Sequence, residues 1–138
     1  MDLAIYTDAG SRGNPGPAAI AILIYEGPRL VKQHMEYIGE ATNNQAEYRA
    51  VIKALELADL LSASEVRLFT DSELVCRQIT GQYRIKEPGL KPLHARVMEL
   101  EKKFRKFSCA SVPRENPRTR FADRLVNKVL DSREEGVW

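Results

Sequence analysis

Residues 3–25, LAIYTDAGSRGNPGPAAIAILIY, place two apolar runs on either side of a turn built from glycine and proline. Leu3, Ala4, Ile5 and Tyr6 read as a short strand that ends at Asp8, and SRGNPGP (11–17) reverses the chain. Residues 18–25 are apolar throughout, as in a strand covered on both faces. A turn over 26–29 and a third strand over 31–38 complete an antiparallel meander. An aspartate closing an apolar strand is out of place, because acidic side chains belong on solvated faces unless something neutralises them.

From Asn43 the apolar period becomes helical: Ala46, Ala50, Val51, Ala54, Leu55, Ala58 and Leu61 recur at spacings of three and four, with Asn43 or Asn44 as the cap. Glu47 falls on that apolar stripe, near the helix N-terminus where the macrodipole favours an anion. Residues 65–70, EVRLFT, alternate as a strand ending in a second misplaced acid, Asp71, and a short helix follows from Ser72 to Gly81. Because a helix intervenes, this strand is expected to run parallel to an earlier one. If that neighbour is the first strand, Asp8 and Asp71 emerge side by side. A third helix over 91–106, a strand over 107–112, a basic loop PRENPRTR (113–120) and a last helix over 121–131 complete the pattern, with Asp123 at the head of the last helix.

The ordered acids Asp8, Glu47, Asp71 and Asp123 repel one another unless a hard cation joins them, and oxygen ligands alone select Mg2+ or Mn2+ over zinc. With 138 residues the chain is read as one domain over 1–131 with a tail over 132–138. Its two cysteines form no CxxC pair, so zinc and a disulfide framework are poorly supported and a reducing, cytoplasmic setting is expected. The start lacks the basic segment and long apolar run of a secretory signal, and no apolar stretch is long enough to span a bilayer, so no membrane partner is expected. Net charge is +2, yet seven basic residues lie between 102 and 120: Lys102, Lys103, Arg105, Lys106, Arg114, Arg118 and Arg120. Arg114 and Arg118 are the better phosphate candidates among them, and the first group reads as a solvated helix face.

The motifs TDAGSRGNPGPA, TNNQAEYRAV, FTDSELV and ADRLVNKVL, in this order, resemble the type 1 class of the ribonuclease H family over most of the chain. The resemblance implies an α/β ribonuclease H-like fold, a five-stranded mixed sheet whose first three strands are antiparallel and the rest parallel, flanked by helices. It implies an endonuclease that cuts the RNA strand of an RNA/DNA hybrid with two divalent ions, Mg2+ or Mn2+, and a monomer is expected. Asp8, Glu47, Asp71 and Asp123 look like its catalytic, metal-binding acids. Asp8 and Asp71 are expected to serve both ions, Glu47 the ion beside the leaving 3′ oxygen and Asp123 the ion that activates water. Gly10, Ser11, Gly13, Asn14, Asn43 and Asn44 match segments that line the RNA groove, where amides and exposed backbone can meet the 2′-hydroxyl. Thr42 resembles a residue that grips a phosphate of the DNA strand. The alternatives are a non-catalytic hybrid or nucleic-acid binding module of the same fold and a related nuclease acting on duplex RNA.

Three departures from the family pattern stand out. VPRENPRTRFAD (112–123) contains no histidine, Thr119 stands where an asparagine is common, and residues 81–91 carry no basic protrusion. The expectation there is either a weaker hybrid affinity or a grip carried by Arg84, Lys86 and Lys91.

Overall fold

The computed structural model describes residues 1–134. Its strands are β1 (Asp2–Ser11), β2 (Gly16–Glu26), β3 (Arg29–Ala41), β4 (Glu65–Thr70) and β5 (Lys106–Ser111). Its helices are α1 (Asn43–Leu60), α2 (Glu73–Ile79), α3 (Lys91–Glu101) and α4 (Pro117–Glu134). The five strands form one sheet in the order β3-β2-β1-β4-β5, antiparallel across the first three and parallel from β1 to β4 to β5. The expected mixed sheet is therefore the observed one, and β1 and β4 are neighbours.

Helices cover both faces. On one, Leu3, Ile5, Ile20, Ile22 and Ile24 pack against α1 and α3; on the other, Ala4, Ala21, Leu23 and Tyr25 pack against Leu125, Val126 and Val129 of α4. This two-sided cover explains the unbroken apolar run of β2, where each buried Ile or Leu contributes about 1.5–3 kcal/mol of transfer free energy.

Several boundaries differ from the sequence expectation. β1 does not end at Asp8: pairing with β2 continues through Ser11 opposite Ala18, so Asp8 lies within the strand opposite Ala21. Neither Asn43 nor Asn44 caps α1. Thr42 does, in a capping box in which its side chain accepts from Gln45 N while the Gln45 side chain accepts from Thr42 N. α3 stops at Glu101 rather than Lys106, because the chain must turn there to bring β5 alongside β4, a turn held by Arg105 N donating to Ser64 O. α4 begins at Pro117 and runs on to Glu134, so residues 117–120 are helix rather than loop and Asp123 lies in its second turn, not at its head. The Asn116 side chain starts this helix by accepting from the backbone N–H groups of Arg118 and Thr119, and proline suits the position that follows a cap. Of the expected 132–138 tail, residues 132–134 belong to α4; the remainder, Trp138 included, lies outside the described residues. No described helix is long and apolar enough to cross a membrane.

The basic run also divides. Lys102, Lys103, Arg105 and Lys106 sit at the end of the sheet where β4 and β5 begin, with Lys103 and Arg105 paired to Asp59 and Glu65. Arg114 lies at the opposite end, beside Asp71, and Arg118 and Arg120 are in the first turn of α4.

Candidate active site

β1 and β4 pair from Asp2 opposite Glu65 to Tyr6 opposite Phe69 and then part. Asp8, two residues beyond the last pair on β1, and Asp71, one residue past β4, flank that opening. Tyr6 packs on the α4 side of the sheet, and strand alternation puts Asp8 and Gly10 on the same side. Glu47 arrives from α1 on the other side. It lies on the buried stripe with Ala46, Ala50 and Val51, so the apolar face that docks the helix also drives the carboxylate inward. Asp8, Glu47 and Asp71 each offer a ligand oxygen within 4.8 Å of the other two.

Asp8 and Glu47 are only 5% and 8% exposed, and Asp8 Oδ2 and Glu47 Oε1 are buried without a hydrogen-bond partner among the described residues. Such oxygens are costly unless a proton or a cation satisfies them. Burial, reinforced by the charges of Asp71 and Asp123, pushes the Asp8 carboxyl up to about 8. Burial, with the charges of Asp8 and Asp71, likewise holds Glu47 well above the usual carboxylate range. The Thr70 hydroxyl, 3.5 Å from Glu47 Oε2, and the Ala9 N–H offset only part of this. A hard divalent cation fits the donor set: it binds oxygen, and its charge removes the repulsion that burial magnifies.

The cleft, about 280 Å³, is lined by Asp8, Asn43, Asn44, Glu47, Asp71, Ser72, Arg114 and Asp123. All four sequence-expected acids thus border it, although Asp123 is exposed and falls outside the group of three. Arg114 reaches in from the β5–α4 loop, its Nε 3.5 Å from Asp71 Oδ2. Ser72, which sequence reading did not single out, caps α2 at the rim by accepting from Val75 N at 3.2 Å.

The remaining expected residues divide into two groups. Ser11, Asn14 and Asn43 are tied together: Asn43 Oδ1 accepts from Ser11 N at 3.0 Å, and Asn14 Oδ1 accepts from Asn43 N at 3.0 Å. The β1–β2 turn is thereby bound to the start of α1. Gly13 has φ +128°, which favours glycine, and a Cβ on Gly16 would stand 2.6 Å from Arg12 O, so the turn requires both. Gly10 lies under α4, where a Cβ would meet Val126 Cγ1 at 3.2 Å. Arg118 is not brought to the cleft; its guanidinium lies 3.7 Å from the Tyr25 ring centroid and 5.4 Å from that of Tyr6, on the α4 side. The two histidines are placed apart from the acids, His34 beside Glu36 and His94 against Gln78 O.

The family described as reverse transcriptase-like matches residues 7–129. The chain is 38% identical over 134 residues to the bifunctional protein Rv2228c of Mycobacterium tuberculosis, a match that covers 96% of this chain and 36% of that protein. The chain thus spans about a third of the length of that relative. Among solved structures it resembles the RNase H1 of the halophilic archaeon Halobacterium salinarum with a TM-score of 0.91 and 40% identity, covering 96% of this chain and 99% of that one. It also resembles LC11-RNase H1, solved in complex with an RNA/DNA hybrid, with a TM-score of 0.85 and 39% identity over 92% of this chain and 95% of that one.

Proposed function

The chain belongs to the ribonuclease H family, and from that premise we propose that it hydrolyses the RNA strand of RNA/DNA hybrids at the Asp8–Glu47–Asp71–Asp123 cleft with divalent metal ions. The observation that carries the reading is the pair of buried oxygens, Asp8 Oδ2 and Glu47 Oε1, without a partner among the described residues, in a group completed by Asp71. An arrangement so unfavourable in the bare protein supports a site built to receive positive charge.

Asp8 and Asp71 would hold both ions, with Glu47 on the side of the leaving oxygen and Asp123 on the side of the water. When bound, such ions lower the pKa of water and neutralise charge on the attacked phosphate. Arg114, exposed except at its contact with Asp71, would turn from that carboxylate to a phosphate oxygen once cations neutralise Asp71. Asn43 and Asn44 at the cleft wall, with Ser11, Gly13 and Asn14 in the turn tied to them, would bear on the RNA strand, where a 2′-hydroxyl can donate and accept at once. Thr42, at the same helix start, would approach the neighbouring DNA phosphate. Gly10 would contribute by its lack of a side chain, letting α4 lie close enough to bring Asp123 to the cleft.

The test is a panel of labelled RNA/DNA hybrid, duplex RNA and duplex DNA, each with Mg2+ or Mn2+. Cleavage confined to the RNA of the hybrid is expected. Failure to cut the hybrid with either ion overturns the proposal, and binding without cutting would leave the binding-module alternative in its place.

A further inference from the structure

We infer that Arg12 and Asn127 are positioning residues that hold the Asp123 carboxylate at the cleft, a role that rests on the metal-dependent reading above. Asp8 is set by β1, and Glu47 by the buried stripe of α1. Asp123 depends on the placement of α4 and, among the described residues, on one side-chain donor: Asn127 Nδ2 donates to its Oδ2 at 3.3 Å, while the neighbouring Asp8 carboxyl repels it. Left without that donor, an exposed carboxylate facing three others would rotate toward solvent.

The donor is itself anchored. Asn127 Oδ1 accepts from Arg12 Nη2 at 3.4 Å, and Arg12 is ion-paired with Asp131 at 2.6 Å and Glu134 at 2.8 Å. Positions 123, 127, 131 and 134 follow one face of α4 at steps of four, four and three, so Arg12 lies along that face from the β1–β2 turn. Two residues before it, Gly10 lets Val126 approach β1. Glycine therefore sets how closely α4 lies on the sheet, and Arg12 sets its rotation beside the cleft.

The chemical division suits a metal ligand. Asp131 and Glu134 more than neutralise Arg12, and a neutral amide separates the guanidinium from Asp123. Asn127 occupies one carboxylate oxygen and leaves the other for a ligand; a cation at position 127 would instead form an ion pair with Asp123 and compete with the metal.

The experiment compares wild type with Asn127→Ala, Arg12→Met and Arg12→Lys, alone and in an Asp123→Asn background. Mn2+ affinity is measured by electron paramagnetic resonance, and kcat and KM are measured on a labelled hybrid. Asn127→Ala and Arg12→Met are expected to weaken Mn2+ binding and kcat by about tenfold, as loss of a group orienting a ligand does, while KM stays within about twofold. Arg12→Lys should recover part of the loss, and both effects should vanish when residue 123 is Asn. Equal Mn2+ affinity in wild type and Asn127→Ala, or a loss that persists without Asp123, overturns the inference. If wild type cuts no hybrid, the nuclease reading fails, and the Mn2+ titrations still decide whether Asn127 acts through Asp123. Circular dichroism and the thermal midpoint serve as fold controls for these surface substitutions.

Discussion

Asp8 and Glu47 are buried and each carries an oxygen with no partner among the described residues, whereas Asp123 stands exposed on α4 with an amide donor one turn away. The buried pair is constrained: a strand still paired to β2 at Asp8 and a helix docked by its apolar stripe hold these carboxylates in place. Their repulsion is therefore stored in the fold until a proton or a cation relieves it. The exposed acid stores little and is free to adjust. One half of the cleft is rigid at the expense of stability, and the other is stable but needs positioning.

Four measurements would sharpen or break that contrast. The largest effect is expected for Asp71→Asn, which removes one of the three mutually close carboxylates while leaving β4 intact. Hybrid cleavage should fall on the order of a thousandfold with an unchanged circular dichroism spectrum. Near wild-type turnover would remove Asp71 from the reaction.

Asp123→Asn should fall short of that loss, by roughly a hundredfold in kcat, and should change metal-free stability by less than about 0.5 kcal/mol, because the side chain is exposed. A large stability change in urea would show that the fourth acid is as constrained as the others.

Asp8→Asn is expected to stabilise the metal-free protein. The folded carboxyl titrates at about 8 against 3.8 for the ordinary group, so the native state keeps a proton that the unfolded chain releases. This contribution to stability is complete below about pH 4 and is lost as pH rises toward 8. Urea unfolding in chelator should therefore show a gap between Asp8→Asn and wild type that widens over that window to about 2 kcal/mol or more. Mn2+ should close the gap by stabilising wild type selectively, and more strongly at higher pH. A gap independent of pH would mean that Asp8 carries no stored repulsion.

The smallest effect is that of Arg118→Ala, which removes a guanidinium from the Tyr25 ring and should lower stability by about 0.5–1 kcal/mol. Its KM for the hybrid should stay near wild type, whereas Arg114→Ala should raise KM. The reverse ranking would put Arg118 at the substrate after all.

Much of this was legible before any coordinates. The two apolar runs around SRGNPGP foretold the antiparallel start, the spacing from Ala46 to Leu61 foretold α1, and Asp8, Glu47 and Asp71 each carried a local sign of misplacement. What stayed hidden was competition among neighbours. Thr42, Asn43 and Asn44 are all able to cap a helix, and only the side chain of Gln45 reaching back selects Thr42. PRTR looked like a loop because a proline and three polar residues carry no apolar period, yet Asn116 and Pro117 make it the first turn of α4. The basic residues from 102 to 120 form one run in the chain but separate in space, because β5 carries the chain away from residues 102–106 toward the cleft, where Arg114 stays while α4 takes Arg118 onto the aromatic rings.

The order of residues by itself determined which elements form and which acids stand on them, since alternation, helical spacing and turn chemistry act over a few neighbouring positions. Only the tertiary structure decided that two carboxylate oxygens are buried without partners among the described residues, that Arg118 lies on an aromatic ring rather than in the cleft, and that Arg12 meets a helix more than a hundred residues away. Burial, repulsion and hydrogen bonding depend on distances through space, and those exist only after the sheet has paired and both helical layers have closed upon it.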